Sequence, residues 1–210
     1  MKTDNTLSPV TALLAVATLL FPLLAIWQIP LADGNVVLAI EDLQSLWLLF
    51  GAAFTWGWMK PKTLAPQKKQ FWLWSIVWWV VLFGRGISWG RDFFPEVPKI
   101  YFRTISVILI GTLVLMLLLP ELRREIAVKM KSATLPTWTV ILMVVSFLIS
   151  DTIEHHRLLA PLFIRDPNYQ DLLEEMYEIP FMLCLFIVAF SLMRSDKQVQ
   201  KAQRLVPLEN

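Results

Sequence analysis

The sequence has little charge, a single cysteine and only two histidines. Of its 210 residues, 17% are charged and 56% are hydrophobic. Because a soluble domain carries about 25% charged residues, this composition excludes a soluble globular protein and indicates an integral membrane protein. Cys184, the lone cysteine, lies inside an apolar run and excludes an internal disulfide.

Several motifs that would name a chemistry are also missing. The sequence contains no His-Glu-x-x-His zinc motif, no Glu-x-x-His pair of the di-iron bundles, no Cys-x-x-Cys and no glycine-rich phosphate loop. The lysines and arginines follow the usual pattern of membrane-protein loops, so nucleic acid is not expected as a partner. Function must therefore be argued from individual polar residues at the ends of apolar runs.

Long apolar runs dominate the chain, and a helix needs about 20 residues to cross a bilayer. The first run carries no charge from Ser8 to Ala32. That is longer than the core of a signal peptide, which has roughly 7–15 residues, so we expect a true span. Short connections predict one all-α domain over residues 1–210. The sequence predicts an integral membrane bundle of six transmembrane helices at about 9–30, 41–59, 71–89, 103–120, 136–155 and 174–193.

The distribution of lysine and arginine predicts the orientation of this bundle. When the N-terminus is placed in the cytoplasm, most of the 19 cationic residues fall on cytoplasmic segments and most acids fall outside. We therefore expect both termini in the cytoplasm of a multi-pass protein of the bacterial inner membrane, in contact with membrane lipids. We expect the basic amphipathic segment from Pro120 to Lys131 only to touch anionic headgroups on the inner side.

Four of the predicted helices are too short on the outer side. Pro136 to Ser150 is roughly 15 residues, or about 22 Å of helix, whereas the hydrocarbon core is about 30 Å thick. Polar residues must complete such a helix, and charges at that depth usually face the bundle interior and pair with one another. The sequence predicts an outer polar cavity lined by Glu41, Asp42, Arg85, Asp151, Glu154, His155, His156, Glu174, Glu175 and Glu178.

Carboxylates and an imidazole in one cavity suit a divalent metal. Asp151 and His155 are four residues apart and share a helix face, as do Glu174 and Glu178. These four residues are the predicted metal ligands. Like charges at this spacing repel, so a cation, an arginine, a shared proton or water must offset the repulsion.

The same residues are also suited to catalysis without a metal. His155, Glu154 and Glu178 are the candidate catalytic residues for acid–base work on a lipid or envelope precursor. Arg85 and Trp89, four residues apart, are the candidate pair for binding a phosphate-bearing cofactor or ligand. The sequence leaves open whether the protein is an enzyme and which cofactor, if any, it binds.

Other functions remain open as well. The first hypothesis is a cavity that binds a cation or a polar lipid headgroup, with or without catalysis. The second is a non-enzymatic subunit that docks a membrane-protein partner through its charged outer rim, and the third is a small transporter component. A purely structural explanation also exists, because local membrane thinning and snorkelling would leave the acids as a solvated rim.

Three short stretches resemble a family of uncharacterised bacterial multi-pass membrane proteins. They are Glu41-Asp42 at an early span, Ser88-Trp89-Gly90 within an Arg/Glu-x-Ser-Trp-Gly stretch, and the late triplet Glu174-Glu175-x-x-Glu178. Gly86 and Ile87 stand where that family has acids. The resemblance implies a multi-pass membrane fold and no particular activity.

Overall fold

The computed structural model describes residues 2–91, 93–164 and 166–205, which are largely helical. This confirms the predicted all-α class. Two short strands, which were not predicted, form a two-stranded sheet: β1 (Lys2–Asp4) and β2 (Thr134–Pro136). The helices are α1 (Pro9–Leu20), α2 (Pro22–Ile26), α3 (Asn35–Met59), α4 (Pro66–Gly86), α5 (Lys99–Met116), α6 (Pro120–Ser132), α7 (Thr137–Glu154) and α8 (Gln170–Leu205).

Prolines mark where several of these helices begin. A proline lies in the first turn of α1, α2, α4 and α6, where its missing N–H breaks no hydrogen bond and its fixed φ is already helical. Pro22 also divides the first predicted span into α1 and α2, because it cannot donate the helical hydrogen bond. Ser8 caps α1, since its hydroxyl accepts a hydrogen bond from the Thr11 N–H at 3.1 Å.

Membrane character is supported by five helical segments in the described part of the chain that are long and apolar enough to span a bilayer. α4 covers the third predicted span but is not among them. Its apolar run is rich in tryptophan, whose indole N–H makes it less apolar than leucine or valine. The predicted count of six spans depends on α4 and stays a prediction. The five segments are Pro9–Ile26, Ala32–Thr63, Lys99–Met116, Thr137–Glu154 and Pro167–Ala202.

Several helix boundaries differ from the predicted ones. α3 begins at Asn35, so Glu41 and Asp42 lie inside it rather than at its start. α8 continues far beyond its apolar residues at both ends. α4 stops at Gly86 and leads into a turn. Hydropathy marks only the apolar part of a helix, whereas backbone hydrogen bonds continue through polar residues.

The chain forms two compact units. Unit 1 contains Ser45–Ala133 and the residues from Leu192 onward, and unit 2 contains Thr3–Gln44 and Thr134–Ser191. Helices α3 and α8 each contribute residues to both units. The prediction of one domain over the whole chain stays a prediction.

The core of unit 2 is built around Tyr177 of α8. Its ring meets those of Phe21 and Phe163 edge-on, with centroid distances of 5.3 and 5.9 Å, a geometry that aromatic pairs prefer. Ile153 of α7 and Leu173 of α8 are fully buried in the same cluster. These contacts hold the C-terminal end of α7 against the N-terminal part of α8, so polar residues at those helix ends come close together.

Unit 1 is packed closely around tryptophans that lie against glycines. A Cβ atom added to Gly51 of α3 would lie 2.8 Å from the ring of Trp79 of α4, and one added to Gly84 would lie 2.7 Å from the ring of Trp89. Such distances are shorter than van der Waals contact, so both positions need glycine for the indole ring to fit.

Helix α6 packs into unit 1 through a buried ionic group. The Lys129 ammonium donates hydrogen bonds to both carboxylate oxygens of Asp196, at 2.8 and 2.7 Å, and lies 3.5 Å from the Glu125 carboxylate. The Trp72 indole N–H donates to the same Asp196 carboxylate at 2.8 Å. The expectation that this segment touches only headgroups was therefore too simple, because one face of α6 is anchored inside the protein.

Candidate functional site

Helix α7 ends in a turn that fixes the two histidines in different roles. The N–H of His156 bonds to the carbonyl of Ile153 at 3.2 Å, and the N–H of Arg157 bonds to the carbonyl of Thr152 at 3.0 Å. Together these bonds form the Schellman motif, whose C′ residue takes a left-handed conformation. His156 is that residue, with φ of 46°. Its backbone therefore ends the helix, and its side chain is exposed.

His155 lies one residue earlier and belongs to a cluster of side chains that carry potential metal-ligand atoms. Asp151, Glu154 and His155 each offer one ligand atom, and these atoms lie within 4.8 Å of one another. The His155 Nδ1 atom is 3.4 Å from a Glu154 carboxylate oxygen and 3.9 Å from an Asp151 oxygen. The side chains of Asp151, Glu154 and His155 are 23%, 39% and 51% exposed, so a dissolved ion can reach them. We call these three residues the α7-end site.

Arg157 competes with any cation for this site. One of its guanidinium nitrogens lies 2.9 Å from one Asp151 carboxylate oxygen and 3.1 Å from the other. Asp151 therefore already has a counter-charge, while Glu154 faces the imidazole. An exposed pair of this kind contributes little to stability, so a cation can displace the arginine at small cost.

Further carboxyl groups of unit 2 lie near residues of the α7-end site. Glu174 lies within electrostatic range of Glu154, Glu178, Asp171 and Glu41. The Ser150 hydroxyl lies 3.5 Å from a Glu178 carboxylate oxygen. Acids from α3, α7 and α8 therefore lie within electrostatic range of Glu174, while the predicted outer cavity stays a prediction. A cation bound among these carboxyl groups would offset the repulsion between them.

The α7-end site lies at the C-terminus of a helix, and this location strengthens its preference for a cation. The last carbonyl groups of a helix carry partial negative charge, which favours cations and disfavours carboxylates. The final turn of α7 nevertheless carries Asp151 and Glu154 and has no basic residue. Arg157, just past the helix end, offsets this for Asp151, and a bound cation would offset it for Glu154 as well.

The predicted metal ligands are only partly grouped. Among the described residues, the cluster that meets the ligand distance contains Asp151, His155 and Glu154, while Glu174 and Glu178 lie outside it. Glu174 remains within electrostatic range of Glu154, and Glu178 within electrostatic range of Glu174. Their direct ligation, and the catalytic roles of His155, Glu154 and Glu178, stay predictions.

Arg85 and Trp89 do not share a helix face, because α4 ends between them at Gly86. Arg85 is exposed at the end of α4. Trp89 has a φ of 61°, and its ring lies against Gly84. Trp89 therefore serves in packing, and the basis for pairing it with Arg85 at helical spacing does not hold.

Residues Gly86–Gly90 also spell Gly-x-Ser-x-Gly, the pattern of a serine nucleophile elbow. An elbow places its serine on a sharp turn between a strand and a helix of an α/β sheet. Here Ser88 follows helix α4 and has a φ of 46° in a turn. The structural context that this motif requires is therefore not met.

Comparison with known proteins gives no match to any family profile, any curated protein sequence or any solved structure. The resemblance of three short stretches to a bacterial membrane-protein family therefore stays a prediction. What the protein does must be inferred from its own geometry.

Proposed function

We propose that this is a multi-pass protein of the bacterial inner membrane, with six spans and both termini in the cytoplasm, that binds a divalent metal cation at its outer face. The α7-end site is the binding site. The observation that carries the proposal is the grouping of two carboxylates and one imidazole with their ligand atoms within 4.8 Å.

The donor set favours a transition metal over a hard cation. Imidazole suits zinc, copper, iron and nickel, whereas sites for calcium and magnesium are built from oxygen ligands. Three protein ligands leave coordination positions open, as in metal sites that bind a further ligand. The phosphate of a polar lipid headgroup is a suitable further ligand at the membrane surface. Two further carboxyl groups lie nearby, since Glu174 is within electrostatic range of Glu154 and Glu178 contacts Ser150.

Removing one ligand is expected to weaken metal binding by at least about tenfold, because it removes one of only three protein ligands. The variants are His155→Ala and Glu154→Gln, and both residues are part of the α7-end site. Isothermal titration of the purified full-length protein in detergent with Zn²⁺ and Mn²⁺ measures the affinity. Acidification should weaken binding too, since the ligands must be deprotonated.

A matched control is provided by the neighbouring histidine. His156→Asn removes an exposed imidazole that lies outside the ligand cluster, and asparagine tolerates the left-handed backbone. This variant should bind metal like the wild type. If His155→Ala and His156→Asn lost metal affinity equally, the metal would be binding adventitiously to exposed histidines, which would contradict the proposal. The same titration of Glu174→Gln and Glu178→Gln determines whether these acids ligate the metal directly.

Arg157→Ala is expected to raise the affinity for the cation by about two- to tenfold. The guanidinium occupies the Asp151 carboxylate at 2.9 Å, and its removal frees that ligand and deletes a like charge near the metal. Titration with Zn²⁺ measures the effect, and Arg91→Ala in unit 1 serves as the charge-matched control. An unchanged or lower affinity in Arg157→Ala would mean that Asp151 is not a ligand.

A second candidate function is the docking of a membrane-protein partner. Leu158, Leu159 and Leu162 directly follow the α7-end site and are 95%, 56% and 71% exposed. Exposed apolar residues beside a charged rim are typical of interaction surfaces. Docking needs no metal, so the titration of the wild-type protein separates the two candidates. Failure to bind either metal at a one-to-one ratio would leave docking as the favoured function.

A further inference from the structure

Unit 1 contains a cavity of about 1050 Å³ that is lined by four lysines and, among the described residues, by no acid. The lysines are Lys60, Lys68, Lys197 and Lys201. The cavity is therefore strongly positive, and it shares no residue with the α7-end site. Its size is that of pockets which hold small ligands.

One wall of the cavity is the last part of α8. Lys197, Gln200 and Lys201 lie three and four residues apart, so they share one helix face. The neighbouring residue, Asp196, is held by hydrogen bonds from Lys129 and Trp72. This wall is therefore fixed in position. The two lysines at a spacing of four repel each other, and a bound anion would offset that repulsion.

Another part of the lining is the chain segment from the end of α3 to the start of α4. Lys60 directly follows the last residue of α3 and has a left-handed conformation, with φ of 48°. Lys68 lies in the first turn of α4, where Ala65 provides no side-chain cap and no acid is present. A helix N-terminus carries partial positive charge, so a lysine there is unfavourable unless an anion is nearby.

Two further residues of the lining fit an anionic ligand with an apolar part. The Gln200 side-chain nitrogen is buried and has no hydrogen-bond acceptor among the described residues. Such a donor is stabilised when a ligand supplies an acceptor. Trp58 lines the cavity and is 44% exposed, as is typical of tryptophans at the level of lipid headgroups.

We propose that this lysine cavity binds a phosphate-bearing anion, with the headgroup of an anionic phospholipid as the favoured source. Basic pockets on the cytoplasmic side of membrane helices bind such headgroups, and the predicted orientation places these lysines on that side. A soluble phosphate compound offers the same charge without acyl chains. The proposal concerns unit 1 alone and does not depend on metal binding at the α7-end site.

The experiment uses the purified full-length protein in a non-ionic detergent. Binding of short-chain phosphatidylglycerol is measured by native mass spectrometry and titration, with phosphatidylcholine of the same chain length and inorganic pyrophosphate as comparisons. Two variant pairs on different walls are tested, Lys197→Gln with Lys201→Gln, and Lys60→Gln with Lys68→Gln. Each pair should weaken phosphatidylglycerol binding by about tenfold or more, because charge-assisted contacts to phosphate are lost.

The control removes the same charge elsewhere in unit 1. Lys99→Gln with Arg103→Gln changes two exposed cations of α5 that lie outside the cavity lining, and it should leave binding unchanged. Selective binding of phosphatidylglycerol that only the cavity pairs weaken supports the lipid source. Pyrophosphate binding with the same dependence, and no lipid preference, assigns a soluble phosphate instead. No binding of either probe, or equal losses in the cavity and control pairs, would overturn the proposal.

Discussion

Replacing Lys129 by methionine is expected to lower the free energy of unfolding by about 3–5 kcal/mol, as found when one partner of a buried ion pair is removed. Lys129 and Asp196 are each only 8% exposed, and Glu125 is 4% exposed. Without the ammonium, two buried carboxylates lose their counter-charge. The effect should exceed that of ordinary surface substitutions, which change stability by about 0.5 kcal/mol or less. Unfolding of the protein in mixed micelles measures the difference.

Two variants make this expectation specific. Lys131→Met makes the same chemical change at an exposed position of the same helix and should be nearly neutral. Asp196→Asn retains an acceptor for the Trp72 indole and removes one of the unpaired charges. Combining Asp196→Asn with Lys129→Met should therefore cost less than the sum of the two single changes. Strict additivity, or a cost for Lys129→Met as small as that for Lys131→Met, would contradict the buried network.

Gly51→Ala is expected to destabilise the protein by about 1–3 kcal/mol, the usual cost of overpacking a filled core. The new methyl group would lie 2.8 Å from ring atoms of Trp79, which is itself only 3% exposed. The ring has no free space into which it can move. In an exposed helix the same substitution would instead stabilise by up to about 1 kcal/mol. The sign of the change therefore tests the packing of α3 against α4.

Gly57 of the same helix is the matched control, because a Cβ atom there meets nothing within 4 Å. Gly57→Ala should be neutral or stabilising in the same unfolding measurement. Trp79→Leu removes the ring, so Gly51→Ala should cost less in that background than in the wild type. If Gly51→Ala and Gly57→Ala shift stability alike, the close contact with Trp79 is wrong.

Membrane character and the helical class follow from the sequence because long apolar runs have few alternatives in a bilayer. Helix ends were harder to predict. α3 extends through Glu41 and Asp42, which hydropathy had placed at its boundary. α4 stops at Gly86 because a turn with positive φ follows at Ser88 and Trp89. Turn geometry of this kind depends on tertiary packing, here of Trp89 on Gly84.

The α7-end site was partly predictable, because Asp151, Glu154 and His155 lie on neighbouring turns of one helix. The different role of His156 was not predictable, since it depends on the backbone at the helix end.

The buried ionic network of α6 had one local signal in the sequence, the spacing of Leu122, Glu125 and Lys129 along one helix face. Its partner Asp196 is 67 residues away from Lys129, and a single sequence does not reveal such a pairing.

The left-handed backbone at His156 has an evolutionary consequence. Glycine and asparagine adopt this conformation more readily than histidine, so position 156 can drift to either residue in descendants of this chain without harming the helix end. His155 has an ordinary φ of −95°, so the backbone does not restrict the residue type there and a retained histidine would point to a role of the imidazole. Related sequences that keep histidine at position 155 but vary at position 156 would indicate that His155 is a ligand and that His156 only ends the helix.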